Sequence, residues 1–349
     1  MKQKIIIDTD CGSDDAMAIA MAMNDTKYEV IMFSTVAGNV TLDQATDNTL
    51  LTLEKVNTYF PPVYKGCATM LNKQLFYAYE THGNDGMGDY GYKPTYLKCN
   101  EENGILKMLE FLEREPNKTI DIIALGPLTN IAVAFKLNPD SMNRARNIYV
   151  MGTSGLGVGN VSPVAEFNVW QDPEAAKAVV EAGFPNLYFI GWDACLDDNM
   201  LDKDDIEKIY TSGDLGRFVI EINRKLLEIN YGRFSGKFLD MADPAAMAAA
   251  LHPECIDKCK KYYCEVDTSK GPSEGGVLID VNEFSGKEPN ATEWIYKRNP
   301  ENIGWAERKN GNGHHYLKKG FCTKGNRNKD VDCWRWKVCW NDWRWLCGV

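Results

Sequence analysis

Five stretches of this chain are apolar almost without interruption: "KIIID", "VIMFSTVAG", "IDIIALG", "RNIYVMG" and "LYFIGW". A strand with one wet face alternates apolar and polar residues, whereas a strand apolar throughout must be covered on both sides. The segments between them have helical character: "DDAMAIAMAMN", "TLDQATDNTLLTLEKV", "GILKMLEFLERE", "LTNIAVAFKLN" and "DPEAAKAVVEAG". Strands alternating with helices predict an α/β fold, a mostly parallel central sheet flanked by helices in an open, doubly wound arrangement.

In such a sheet, ligands gather beyond the carboxyl ends of the strands. That rim collects Asp8 to Asp15, Gly38-Asn39, Leu125-Gly126 and Met151-Gly152. The first of these segments, "DTDCGSDD", holds Asp8, Asp10, Asp14 and Asp15. Helix capping accounts for Asp14 or Asp15, but not for all four. Crowded carboxylates at a strand end are costly unless a cation neutralises them or their pKa values rise. Gly12 lets the loop turn tightly. An all-oxygen donor set selects a hard ion such as Ca²⁺ or Mg²⁺ over zinc. The loop lacks the spacing of an EF-hand.

Lys plus Arg number 39 and Asp plus Glu 49, so the net charge is 39 − 49 = −10. That balance disfavours a nucleic-acid partner, which calls for a basic patch. No apolar stretch reaches the ~18 residues of a membrane span. Lys2 and Lys4 lead directly into a strand without an apolar leader region. Eleven cysteines at irregular spacing, with Cys255, Cys259 and Cys264 matching no common zinc pattern, read as reduced thiols in a cytoplasmic protein. Residues 1–310 read as one catalytic domain. Residues 311–349 form an atypical segment whose end holds five of the nine tryptophans without clean periodicity, and no function is built on it.

The segments "DTDCGSDDAMAI", "THGNDGMG", "ALGPLTNIA", "VMGTSG", "GNVSPVAEFNVWQDPEAA" and "MADPAA" occur in the order and approximate spacing of the inosine–uridine preferring nucleoside hydrolases, which the chain resembles over about residues 4–250. The resemblance implies Ca²⁺ held by Asp10, Asp15, the backbone carbonyl of Leu125 and Asp243, with Asp10 also the general base. Leu125 stands where the family often has Thr, a change a carbonyl ligand tolerates. Asp14, Asn39, Glu166 and Asn168 are implied to hold the ribose hydroxyls, with Asn160 near the 5′ end. Asn168 and His82 join Asp10 as implied catalytic residues, His82 beside the sugar or the leaving base. The implied partner is a small ribonucleoside, and the implied assembly is a homo-oligomer, a dimer or a tetramer.

Cleavage of an N-glycosidic bond builds positive charge on the ribose, which an acidic pocket stabilises. Calcium acidifies water weakly, so a carboxylate base is needed. Pyrimidine-tolerant members often carry His directly before the last metal-binding Asp. Here that residue is Ala242, which points to purine nucleosides. Two rival readings remain. One is a non-catalytic ribose-binding homologue. The other is a Mg²⁺ phosphohydrolase with Asp8 as nucleophile, though no segment suited to phosphate follows.

Overall fold

The computed structural model describes residues 2–234, 238–256 and 258–294, together with the strand pair Trp305–Lys309 and His315–Lys319. The elements run β1 (Gln3–Thr9), α1 (Ser13–Asn24), β2 (Tyr28–Thr35), α2 (Leu42–Val56), β3 (Val63–Lys65), α3 (Tyr79–His82), α4 (Gly104–Arg114), β4 (Ile120–Ala124) and α5 (Thr129–Leu137). They continue with α6 (Pro139–Met142), β5 (Asn147–Met151), α7 (Phe167–Gln171), α8 (Pro173–Glu181), β6 (Leu187–Ile190), α9 (Lys203–Thr211), α10 (Asp214–Glu221), α11 (Arg224–Phe234) and α12 (Ala242–Leu251). Four strands follow α12: β7 (Cys259–Tyr262), β8 (Cys264–Val266), β9 (Val277–Ile279) and β10 (Ala291–Trp294). The rest of the segment 311–349, beyond the second strand of the 305–319 pair, lies outside the described residues.

The main sheet is ordered β3-β2-β1-β4-β5-β6-β10-β7. Its strands are parallel except β7, which pairs antiparallel with β10 at the edge. The expected two-sided burial is visible within β1 itself. Ile5 and Ile7 join the core under α1, α2 and α12, while Ile6 joins the opposite core under α4, α5 and α8. An apolar run without alternation is what a strand facing two cores requires.

Strand order reverses between β1 and β4, the topological switch point where ligands of such folds bind. Asp8 pairs in register with Ala124, so the loops after β1 and β4 leave the sheet side by side. Two Ala- and Met-rich helices, α1 and α12, pack together over this point. Small side chains let their backbones approach closely. This packing carries the acidic first turn of α1 (Asp14, Asp15) to the acidic first turn of α12 (Asp243).

Six cysteines among the described residues are free thiols. Cys255 departs from the expected reduced state and is disulfide-bonded. No described helix is long and apolar enough to cross a membrane.

Candidate active site

Asp15 is anchored at the N-terminus of α1. Its Oδ1 accepts from the Thr9 hydroxyl at 2.5 Å, and its Oδ2 from the Gly12 N–H at 2.8 Å and Asn39 Nδ2 at 3.3 Å. Asp14, Asp15 and Asp243 offer carboxylate oxygens that all lie within 4.8 Å of one another. Asp10 stands beside this trio. Its Oδ2 accepts the Asn39 N–H at 2.6 Å, while its Oδ1 is buried without a hydrogen-bond partner. Two glycines make the room for Asp10: a Cβ on Gly38 would lie 2.1 Å from Oδ2, and one on Gly126 would lie 2.8 Å from Oδ1.

No described lysine or arginine pairs with these four acids; the nearest basic group is His82, whose Nδ1 lies 3.7 Å from Asp14 Oδ1. Burial, then the neighbouring Asp14, lifts the Asp15 carboxyl to about 7. Burial likewise holds Asp10 and Asp243 well above the usual carboxylate range, and Asp14 and Asp15 push each of them further. A divalent cation removes that cost by favouring the charged forms. The orphaned Asp10 Oδ1 and the all-oxygen donor set therefore fit a hard metal ion, and the helix N-termini carrying Asp14, Asp15 and Asp243 further favour negative charge.

The implied ribose ligands surround this cluster in part. Glu166 caps α7, its two oxygens taking the N–H groups of Asn168 at 2.9 Å and Val169 at 3.2 Å. Burial lifts its carboxyl to about 8. Asn168 turns its amide nitrogen to the backbone carbonyls of Leu125, at 2.6 Å, and Met151, at 3.3 Å. It thus tethers the carbonyl expected to face the metal. Asn39 bridges Asp10 and Asp15. His82, at the end of α3, is buried against Ser13 and Asp14. Asn160 is exposed and accepts the Phe167 N–H at 2.9 Å, holding its own loop.

Asp8 leaves the acidic group. It is fully buried inside β1, and its Oδ1 accepts from Ser34 and from Asn130 Nδ2. Burial lifts it to about 6. Asp8 lies within β1 with its Oδ1 engaged by Ser34 and Asn130, whereas Asp10 lies past the strand end, and this placement weighs against the Asp8 phosphohydrolase reading.

Sequence reasoning placed Gly38 and Gly126 on the rim without giving them a role, and it gave none to Thr9, Ser13 or Asn130; all five hold or make room for the acidic residues. The "GPLTN" segment was the available signal for Gly126 and Asn130, but spacing alone does not reveal that Asn130 reaches back to Asp8.

The model of the inosine-uridine preferring nucleoside hydrolase family matches residues 5–302. The chain belongs to that family. This nucleoside hydrolase is 33% identical over 304 residues to the probable uridine nucleosidase 1 of Oryza sativa subsp. japonica, covering 84% of this chain and 92% of that one. It is 31% identical over 306 residues to the pyrimidine-specific ribonucleoside hydrolase RihB of Escherichia coli, covering 84% and 95%. Among solved structures, a plant nucleoside hydrolase superposes with a TM-score of 0.79 at 28% identity, covering 85% of this chain and 95% of that one. The purine-preferring ribonucleoside hydrolase from Gardnerella vaginalis gives 0.77 at 25%, covering 84% and 93%. The nucleoside hydrolase thus hydrolyses N-glycosidic bonds on the α/β scaffold of its family, which is metal-dependent.

Proposed function

We propose that the protein is a Ca²⁺-dependent ribonucleoside hydrolase that releases free base and ribose, with a lean towards purine nucleosides. The observation that carries this reading is the meeting of Asp14, Asp15 and Asp243 beside an Asp10 whose Oδ1 is buried and unpartnered. Asp10, Asp15, Asp243 and the Leu125 carbonyl would hold the ion. When bound, Ca²⁺ supplies positive charge that keeps the carboxylates ionised and orients water and the ribose diol.

The chain's own groups supply the rest. Asp10 takes a proton from the attacking water. Asp14, Asn39, Glu166 and Asn168 position the sugar, and the acidic surroundings stabilise the cationic character of C1′ as the bond to the base breaks. His82 presents a donor to the sugar or the departing base. Ala242, directly before Asp243, can give no proton to the base. That supports the purine lean, since a purine ring nitrogen can be protonated from solvent. The relatives themselves divide, with uridine and pyrimidine names beside a purine-preferring one.

The test is reducing-sugar release from inosine, guanosine, adenosine, uridine and cytidine, with and without chelator. Faster turnover of the purine nucleosides, abolished by chelator, agrees with the proposal. Equal or faster pyrimidine turnover refutes the base preference. Tight ribose binding without any base release would favour the non-catalytic reading.

A further inference from the structure

The side chain of His82 is fixed by groups that do not belong to the cation site. α1 begins at Ser13, and its cap residue, Gly12, has no side chain to satisfy the first free N–H groups of the helix. The Ser13 N–H points instead at His82 Nδ1, at 3.3 Å, and the Ser13 hydroxyl lies 3.0 Å from the same nitrogen. A backbone N–H can only donate, so Nδ1 must accept, and a neutral ring then carries its proton on Nε2. Asp14 Oδ1, at 3.7 Å from Nδ1, is too far to take that proton in a hydrogen bond.

Ser13 is held in turn from the far side. Asn223, fully buried between α10 and α11, donates through Nδ2 to the Ser13 carbonyl at 2.9 Å and to the Val219 carbonyl at 2.8 Å. The next residue, Arg224, donates to the carbonyls of Gly88 and Asp89, and the Gly88 N–H donates to the His82 carbonyl at 2.7 Å. Gly88 adopts φ +68°, and a Cβ there would lie 2.4 Å from the Ile222 carbonyl oxygen, so the loop sits directly on this junction. The 222–224 junction therefore grips both the ring partner and the main chain of His82.

We propose that Ser13 and Asn223 are positioning residues that hold His82 as the Nε2–H tautomer, so that it presents a hydrogen-bond donor to an acceptor oxygen or nitrogen of the nucleoside. This inference rests on the reading of His82 as a substrate-facing group. Burial, which disfavours the charged ring more than Asp14 restores it, keeps His82 neutral in keeping with that role. The helix N-terminus beside Nδ1 works in the same direction.

The test uses the full chain loaded with Ca²⁺. In ¹⁵N spectra of histidine-labelled protein, with the His82 signals assigned by their loss in His82→Gln, Nε2 should be protonated and Nδ1 bare. Ser13→Ala should lower kcat ~10-fold, as loss of an orienting partner does, with little change in KM. Asn223→Ala should give the same split. In a His82→Ala background, Ser13→Ala should cost nothing further, because its effect passes through the missing ring. A proton on Nδ1 overturns the inference. If His82→Ala costs turnover and Ser13→Ala adds its full penalty on top, the His82 reading stands and the inference alone falls. If His82→Ala costs nothing, the reading fails and the inference goes with it.

Discussion

Asp15 and Asp243 lie in the first turns of α1 and α12, far apart in the sequence, yet their carboxylates come within 4.8 Å of each other. The contact exists because two Ala-rich helices pack side by side over the point where the strand order reverses. Asp243→Ala should therefore abolish Ca²⁺ binding and turnover together, while leaving the fold intact by circular dichroism. Calorimetric titration of Ca²⁺ into the variant, beside a turnover assay, checks this.

Asp10 and Asp243 should differ in what they remove. Asp10→Asn keeps the shape and one oxygen, and general-base loss typically costs 10²–10⁴-fold. We expect kcat to fall about 10³-fold with Ca²⁺ affinity reduced far less. Equal losses of both would make Asp10 a plain ligand.

Gly38 is held small by Asp10 and Pro127. In Gly38→Ala the new methyl would lie 2.1 Å from Asp10 Oδ2 and 2.8 Å from the Pro127 ring. Overpacking of this kind costs about 1–3 kcal/mol. The variant should melt earlier and lose most of its turnover. Unchanged kinetics would mean that Asp10 tolerates displacement.

Without metal, stability should fall as pH rises. The folded-state values of Asp15 (about 7) and Glu166 (about 8) exceed those of an unfolded chain, near 4, chiefly through burial. Between these limits the folded form binds more protons than the unfolded one, so the unfolding free energy declines with pH. The stabilising contribution is complete below about pH 4 and is lost as pH passes through 7–8. In chelator, raising pH from 5.5 to 8 should lower the contribution of these groups to Tm, and Ca²⁺ should flatten the trend. Thermal melts at several pH values, with and without Ca²⁺, measure it.

Thr153 adopts φ +76° although it is β-branched, a conformation that suits glycine. Its carbonyl accepts the Trp192 N–H at 2.9 Å and its hydroxyl the Gly155 N–H at 2.9 Å. Thr153→Ala should destabilise, since it keeps the strained backbone and loses the hydroxyl. Thr153→Gly should recover up to ~1 kcal/mol relative to that alanine variant. Denaturant midpoints of the two variants decide it.

The sheet was legible in the sequence because β1, β4, β5 and β6 carry apolar runs without alternation, as two-sided burial requires. The antiparallel edge strand β7, "CKKY", gave no such signal, since it is largely exposed. The rim position of the acidic loop followed from strand order. Which carboxylates touch did not: Asp8 reads like its neighbours, yet strand alternation turns it inward to Asn130 while Asp10, past the strand end, stays at the site. The supporting bonds from Asn168 to Leu125 and from Asn223 to Ser13 join residues far apart in sequence, and no local pattern encodes them.

These acids are proposed to hold one divalent ion that turnover requires. The direct measurement is Ca²⁺ titration into metal-stripped protein, with ribose release from inosine followed in the same samples. Stripped protein should release no ribose, and activity should return in full as one ion binds per chain. Full turnover by the stripped protein, undiminished by chelator, would contradict it.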